Sequence, residues 1–139
     1  MNEPEWIAVS RSFLAFLEAD GEGSPEELEA LLDRLLRSAE PLSLPDTEQE
    51  APERDALEVY KHWYVLAQRR LSSLADLGSE DGRWILDDLA DIATELDRTL
   101  NVWDAELPEA AQWEFRFGFE EHWGRQHARP LLRYLQDVA

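Results

Sequence analysis

The chain has 139 residues, no cysteine, and 31 acidic against 13 basic side chains, for a formal charge of −18. That length suits one domain with a sizeable core, and the missing cysteines exclude both a disulfide frame and a Cys-based zinc site. The acidic excess would repel nucleic-acid phosphates, which argues against a DNA or RNA binder and fits a solvated surface or a basic protein partner.

The opening Met1-Asn2-Glu3-Pro4-Glu5 is acidic where a signal peptide is basic, and no apolar run approaches the roughly 20 residues of a membrane span. The expectation is a cytoplasmic protein with no membrane contact. Trp6, Val9, Phe13, Phe16 and Leu17 recur at helical spacing, and Gly21 and Gly23 end that segment. Ser24-Pro25-Glu26-Glu27 combines an N-cap serine, a first-turn proline and a capping-box glutamate, so a second helix begins there and carries Leu28, Leu31, Leu32, Leu35 and Leu36. An acidic connector with Pro41, Pro45 and Pro52 occupies about 41–52.

A third helix is predicted from about Glu53 to Leu77, with Tyr60, Trp63, Ala67 and Leu71 on its apolar stripe. Residues 78–82 read as a turn. A fourth helix runs from about Arg83 to Asp104. Ile85, Leu89, Ile92, Leu96 and Leu100 share one arc, while Asp87, Asp88, Asp91 and Glu95 fall nearly opposite, with Arg98 among them. The spacing therefore predicts a solvated acidic face. A fifth helix opens at Leu107-Pro108-Glu109, and Pro130 should kink or interrupt it near Gln126. No strand alternation or internal repeat is visible. The whole reads as an all-α, compact single-domain bundle of five or six helices spanning 1–139.

The densest stretch is Trp113–His127, which holds Trp113, Phe115, Phe117, Phe119, Trp123, His122 and His127. On a continuous helix Trp113, Phe117, Gly124, Ala128, Leu131 and Leu135 form one core arc. Trp63, Leu89, Leu96, Trp113 and Phe117 are all expected to be buried. Phe115, Phe119, His122 and Gln126 form a second stripe at i, i+4, i+7 and i+11, displaced from that arc. Large aromatics without a core duty suit a partner or ligand, so these four are the candidate binding residues. The competing reading makes the helix central and covers the stripe with the chain itself.

Reactive signatures are few. There is no Gly-x-Ser-x-Gly elbow and no phosphate-binding glycine loop, so neither a catalytic residue nor a cofactor is predicted. His122 and His127 stand five residues apart, roughly 140° around a regular helix, and would not chelate one ion from it. With the acids of the fourth helix turned from its leucines, no metal site is predicted.

Asp87-Asp88-Leu89-Ala90-Asp91-Ile92-Ala93, the stretch Trp113–Ala128 and Leu131–Leu135 resemble a bacterial family of small, acidic, helical proteins classed as a domain of unknown function. The resemblance covers about the C-terminal 55 residues well and the N-terminal half loosely, and its most specific part is Phe119-Glu120-Glu121-His122-Trp123-Gly124. It implies an all-α fold and a bacterial source, and carries no activity. The leading functional expectation is a non-catalytic protein-interaction module using the aromatic C-terminal helix. In a sharper form it is an acidic inhibitor covering a basic site. The alternative is a small-ligand or metal-dependent enzyme using His122 with nearby carboxylates. A His122 set beside acids would favour chemistry, and exposed Phe115 or Phe119 would favour a partner.

Overall fold

A computed structural model describes residues 3–52, 55–73 and 80–138. Among the described residues six helices form the fold: α1 (Glu5–Glu18), α2 (Pro25–Ala39), α3 (Ala56–Arg70), α4 (Glu80–Asp104), α5 (Pro108–Glu121) and α6 (Arg129–Val138). A π-helical turn, Trp123–Ala128, joins the last two. No strand occurs among the described residues, nor any helix long and apolar enough to cross a membrane.

The local signals act as their chemistry requires. Ser24 caps α2, its side chain accepting from the Glu27 amide at 3.2 Å. Asp55 does the same for α3 through Glu58. The third helix is seen over Ala56–Arg70; the rest of its expected range, at 53–54 and 74–77, lies outside the described residues, as do 78 and 79 of the expected turn. Glu80 to Gly82 belong to α4 instead. That helix closes in a Schellman arrangement, with Glu106 at φ 64° and the Leu107 amide reaching the Val102 carbonyl at 3.2 Å.

The connector at 41–52 carries no helix, as its prolines predict, but it is tied down along α5. The Arg116 guanidinium donates to the Ala39 and Glu40 carbonyls, Gln112 donates to the Ser43 carbonyl, and Gln49 Oε1 accepts from the Ala110 amide. The last bond satisfies one of the free amides at the start of α5.

The organising element is α4, which packs against α1, α3, α5 and the π turn, while α2 closes the bundle against α1 and α6. One continuous core results, with Phe13, Leu32, Trp63, Leu89, Leu96, Phe115 and Trp123 among its members. Trp63, Leu89 and Leu96 are buried as expected.

The aromatic stretch differs from its expected wheel. Phe115 is fully buried between Trp6 and Trp123, and Phe119 is 5% exposed, packed on Trp123. Two guanidiniums, from Arg116 and Arg129, also stack on Phe119. Phe117, expected in the core, is instead exposed and stacks on the half-buried Trp113 at 4.7 Å. The cause is a break in helical phase. The buried face of α5 is set by Ala111, Phe115, Gly118 and Phe119; beyond the π turn it is set by Gly124, Ala128, Leu131 and Leu135. On one continuous wheel these two faces differ by roughly 155°. Carrying a regular phase across the break assigned Phe117 to the second face and set Phe115 and Phe119 apart from it, where a partner or the chain itself could cover them. The two phenylalanines are core, so they cannot present the surface expected of them.

Candidate metal centre

The π turn begins where α5 loses its geometry. His122, at φ −139° and ψ −83°, leaves the helical region. Pro130 has no amide hydrogen to offer the Gln126 carbonyl, and the Arg129 amide reaches back five residues to the Gly124 carbonyl. Trp123 anchors the turn: its ring is fully buried and Nε1 donates to the Phe115 carbonyl at 3.0 Å. Gly124 permits the fit, because a Cβ there would lie 2.5 Å from the Phe119 carbonyl oxygen.

In a π turn, residues five apart stack on one face. His122 and His127 have that spacing. Their rings meet edge-on with centroids 4.7 Å apart, and the two Nε2 atoms are 3.1 Å from each other. The expected 140° separation belongs to a regular α-helix and does not hold here. The other ring nitrogens face carboxylates on α4. His122 Nδ1 lies 2.8 Å from Glu95 Oε1, and His127 Nδ1 lies 2.7 Å from Asp88 Oδ1. Asp91 Oδ2 comes within 3.3 Å of His127 Nε2.

The acidic face of α4 is therefore not a solvated surface. Asp87, Asp88, Asp91 and Glu95 are each partly buried, because the π turn covers one flank and α3 the other. From α3, Tyr60 donates its hydroxyl to Asp87 Oδ1 at 2.6 Å; burial first, then Asp87, holds the phenol well above its ordinary range. Arg98, which shares the arc of the α4 acids, pairs instead with Glu114 of α5 at 3.1 Å. Gln126 is exposed and donates to the Glu121 carbonyl, outside the histidine pair, and His62 lies exposed against the Trp63 ring.

Burial raises the carboxyls of Asp88, Asp91 and Glu95 above their ordinary values, partly offset by the facing histidines. For His127 burial opposes the charge, but the hydrogen bond it donates to Asp88 and the fields of Asp91, Asp88 and Asp87 prevail, so its pKa is raised. Glu95 keeps one oxygen, Oε2, buried without a hydrogen bond. It abuts Gly118, where a Cβ would lie 2.5 Å from that oxygen.

An ionised carboxylate can only accept, so Glu95 and Asp88 fix the proton of each imidazole on Nδ1. Both Nε2 lone pairs then point at the same small volume, beside the Asp91 oxygen. Unoccupied, that arrangement sets lone pair against lone pair, and either an added proton or a cation relieves it. The distances fit a cation. Two nitrogens each about 2.0–2.1 Å from one ion lie about 2.9 Å apart at a right angle and about 3.4 Å apart at a tetrahedral angle. The observed 3.1 and 3.3 Å fall in that interval. Asp91, His122 and His127 each offer one ligand atom, all within 4.8 Å of one another. Glu95 and Asp88 stand where carboxylates orient metal-bound histidines.

Of the four residues singled out from the sequence, only His122 joins this centre. His127, Asp88, Asp91 and Glu95 are weighed as ligands from the sequence and set aside, because a regular helix separates the histidines and turns the acids from the core. The available signal was the five-residue histidine spacing together with a proline three residues after His127, which favours a π turn over a continued α-helix.

The chain belongs to the family described as a domain of unknown function, DUF5063, whose sequence model matches residues 3–139. The likeness thus extends over nearly the whole chain, beyond the C-terminal 55 residues where it is most evident. Among solved structures the fold is similar to the crystal structure of protein BF1032 from Bacteroides fragilis, with a TM-score of 0.74 and 23% identity over 96% of this chain and 92% of that one. At that identity the likeness speaks for the helical fold alone. No curated protein matches the chain.

Proposed function

We propose that the protein binds one first-row divalent metal ion through His122, His127 and Asp91, with Glu95 and Asp88 orienting the two imidazoles. The observation that carries this reading is the convergence of two Nδ1-anchored histidines, Nε2 to Nε2 at 3.1 Å, beside a carboxylate oxygen. Three protein ligands leave a position for water or substrate, which is the pattern of catalytic zinc sites and of two-histidine, one-carboxylate iron sites. The centre is then metal-dependent chemistry, with the ion lowering the pKa of a bound water. Asp87, Asp88, Asp91 and Glu95 outweigh the charge of a divalent ion, so a neutral or cationic substrate suits the site better than a phosphate ester. The aromatic interaction surface loses its support, because Phe115 and Phe119 are covered by the chain's own core.

Calorimetric titration of metal-free protein with zinc, manganese and iron(II) tests the reading. One equivalent should bind at micromolar affinity or better, and His122→Ala and His127→Ala should abolish it while circular dichroism stays helical. Asp88→Asn should weaken binding by about 10- to 100-fold. No stoichiometric binding, or binding indifferent to both histidine variants, would overturn it.

A further inference from the structure

A second feature adjoins the metal centre from the far side of Asp88. A cleft of about 210 Å³ lies between the first turns of α4 and the start of α6. Trp84 and Tyr134 supply aromatic surface, Ile85, Pro130 and Leu131 an apolar lining, and Asp81 and Asp88 the acids. Among the described residues no lysine or arginine lines it. Trp84 is 62% exposed, the highest value among the large exposed apolar side chains. Nothing in the packing of the described residues requires an indole there.

We propose that this cleft binds a small organic cation, an alkylammonium or alkylguanidinium group. Three properties select that chemistry. Aromatic faces attract cations lying within about 6 Å of the ring. Asp88 is mostly buried, with its side chain 15% exposed, and Oδ1 is committed to His127 at 2.7 Å. A carboxylate has about four lone-pair sites, so it retains acceptor capacity for an N–H donor from the cleft side. Asp81 lies seven residues earlier, two turns along the same helix face, and is exposed. The positive end of the α4 dipole amounts to about half a charge, less than the two carboxylates together. An anion would face two acids and no base, and a neutral alcohol would gain the apolar wall without the charge. A methyl- to butyl-sized chain is the length such a volume can cover.

The inference rests on the cleft and does not require a metal in the neighbouring centre, although Asp88 is common to both. The test uses the metal-free full chain and four probes of matched size: n-butylammonium, n-butylguanidinium, n-butanol and butyrate. Titration is followed by the indole resonances in two-dimensional NMR. The two cations should shift the Trp84 resonance saturably at millimolar concentration, at least ten times more tightly than butanol, and butyrate should not bind. Trp84→Ala, at an exposed position that leaves the core intact, should reduce cation binding at least fivefold by calorimetry. Asp88→Asn should reduce it while leaving butanol unaffected. Equal affinity for butanol and butylammonium, or full cation binding in Trp84→Ala, would overturn the proposal. Because no metal is present, neither result bears on the metal centre, whose failure would appear in the zinc titration alone.

Discussion

The two faces of α4 differ in chemistry far more than in coverage. One carries Leu89, Ile92 and Leu96, each fully buried in the core. The other carries Asp88, Asp91 and Glu95, which the π turn and α3 cover in turn. Hydrophobic periodicity says which face of a helix is apolar. It does not say that the opposite face meets water. A helix surrounded on several sides buries its polar face as well, and the groups there must find partners or bear the cost of desolvation. On α4 they find histidines, and burial without full compensation leaves three carboxyls with raised pKa values.

The comparison is broken most directly on the apolar face. Leu96→Ala should destabilise the protein by about 2–5 kcal/mol, the range for emptying a packed leucine site. Phe119→Ala should cost about 3–5 kcal/mol, because the ring is enclosed by Trp123 and two guanidiniums. Denaturant unfolding with a shared m-value checks both. A Phe119→Ala protein within about 0.5 kcal/mol of the parent would mean the ring lies outside the core and would restore the interaction surface.

The pattern of caps, prolines and leucine spacings made the helices legible from the residues. Ser24, Pro108 and the α4 leucines each act locally, within one turn, where sequence and structure are directly linked. The site was legible only at His122. Its other members depend on a phase change of roughly 155° across the π turn, and a regular wheel cannot represent that. The same error exchanged Phe117 for Phe115. The covering of Asp88 and Asp91 depends on which helices α4 meets, a property of tertiary packing that no local pattern contains.

Glycines separate the two regions at an intermediate scale. Gly124→Ala would set a Cβ 2.5 Å from the Phe119 carbonyl oxygen, which is backbone and cannot turn aside. It should cost about 1–3 kcal/mol through overpacking and disturb the π turn. Gly118→Ala meets Glu95 Oε2 and the Trp123 ring instead. The carboxylate can move, but the fully buried Trp123 ring, 2.6 Å away, cannot, so the stability loss should be comparable, and the Glu95–His122 hydrogen bond should suffer as well. Zinc calorimetry with thermal melts of both variants distinguishes the effects. Gly118→Ala that binds metal as the parent does would show that Glu95 plays no part in orienting His122.

The smallest expected effect comes from protons, and its sign is specific to the polar face. His127 has a folded pKa above its unfolded value of 6.5, so its stabilising contribution is complete below 6.5 and is lost as pH rises through the folded value. Asp88 and Asp91, from 3.8, and Glu95, from 4.5, are also raised by burial, the reverse of the usual carboxylate. Their penalty is absent below those unfolded values and complete above the folded ones. Both kinds of group therefore make metal-free protein less stable as pH rises, the carboxyls first and His127 above 6.5. The Tm should fall as pH rises above 3.8–4.5 through the raised carboxyl values, and fall again above 6.5 as His127 loses its proton. His127→Gln should flatten the second step and leave most of the first. Asp91→Asn should be neutral or slightly stabilising near pH 8, since it removes a charge that burial disfavours. A Tm that rises between pH 6.5 and 8 in metal-free protein would mean that His127 gains nothing from Asp88 and Asp91, and the polar face would then be the solvated surface its periodicity implied.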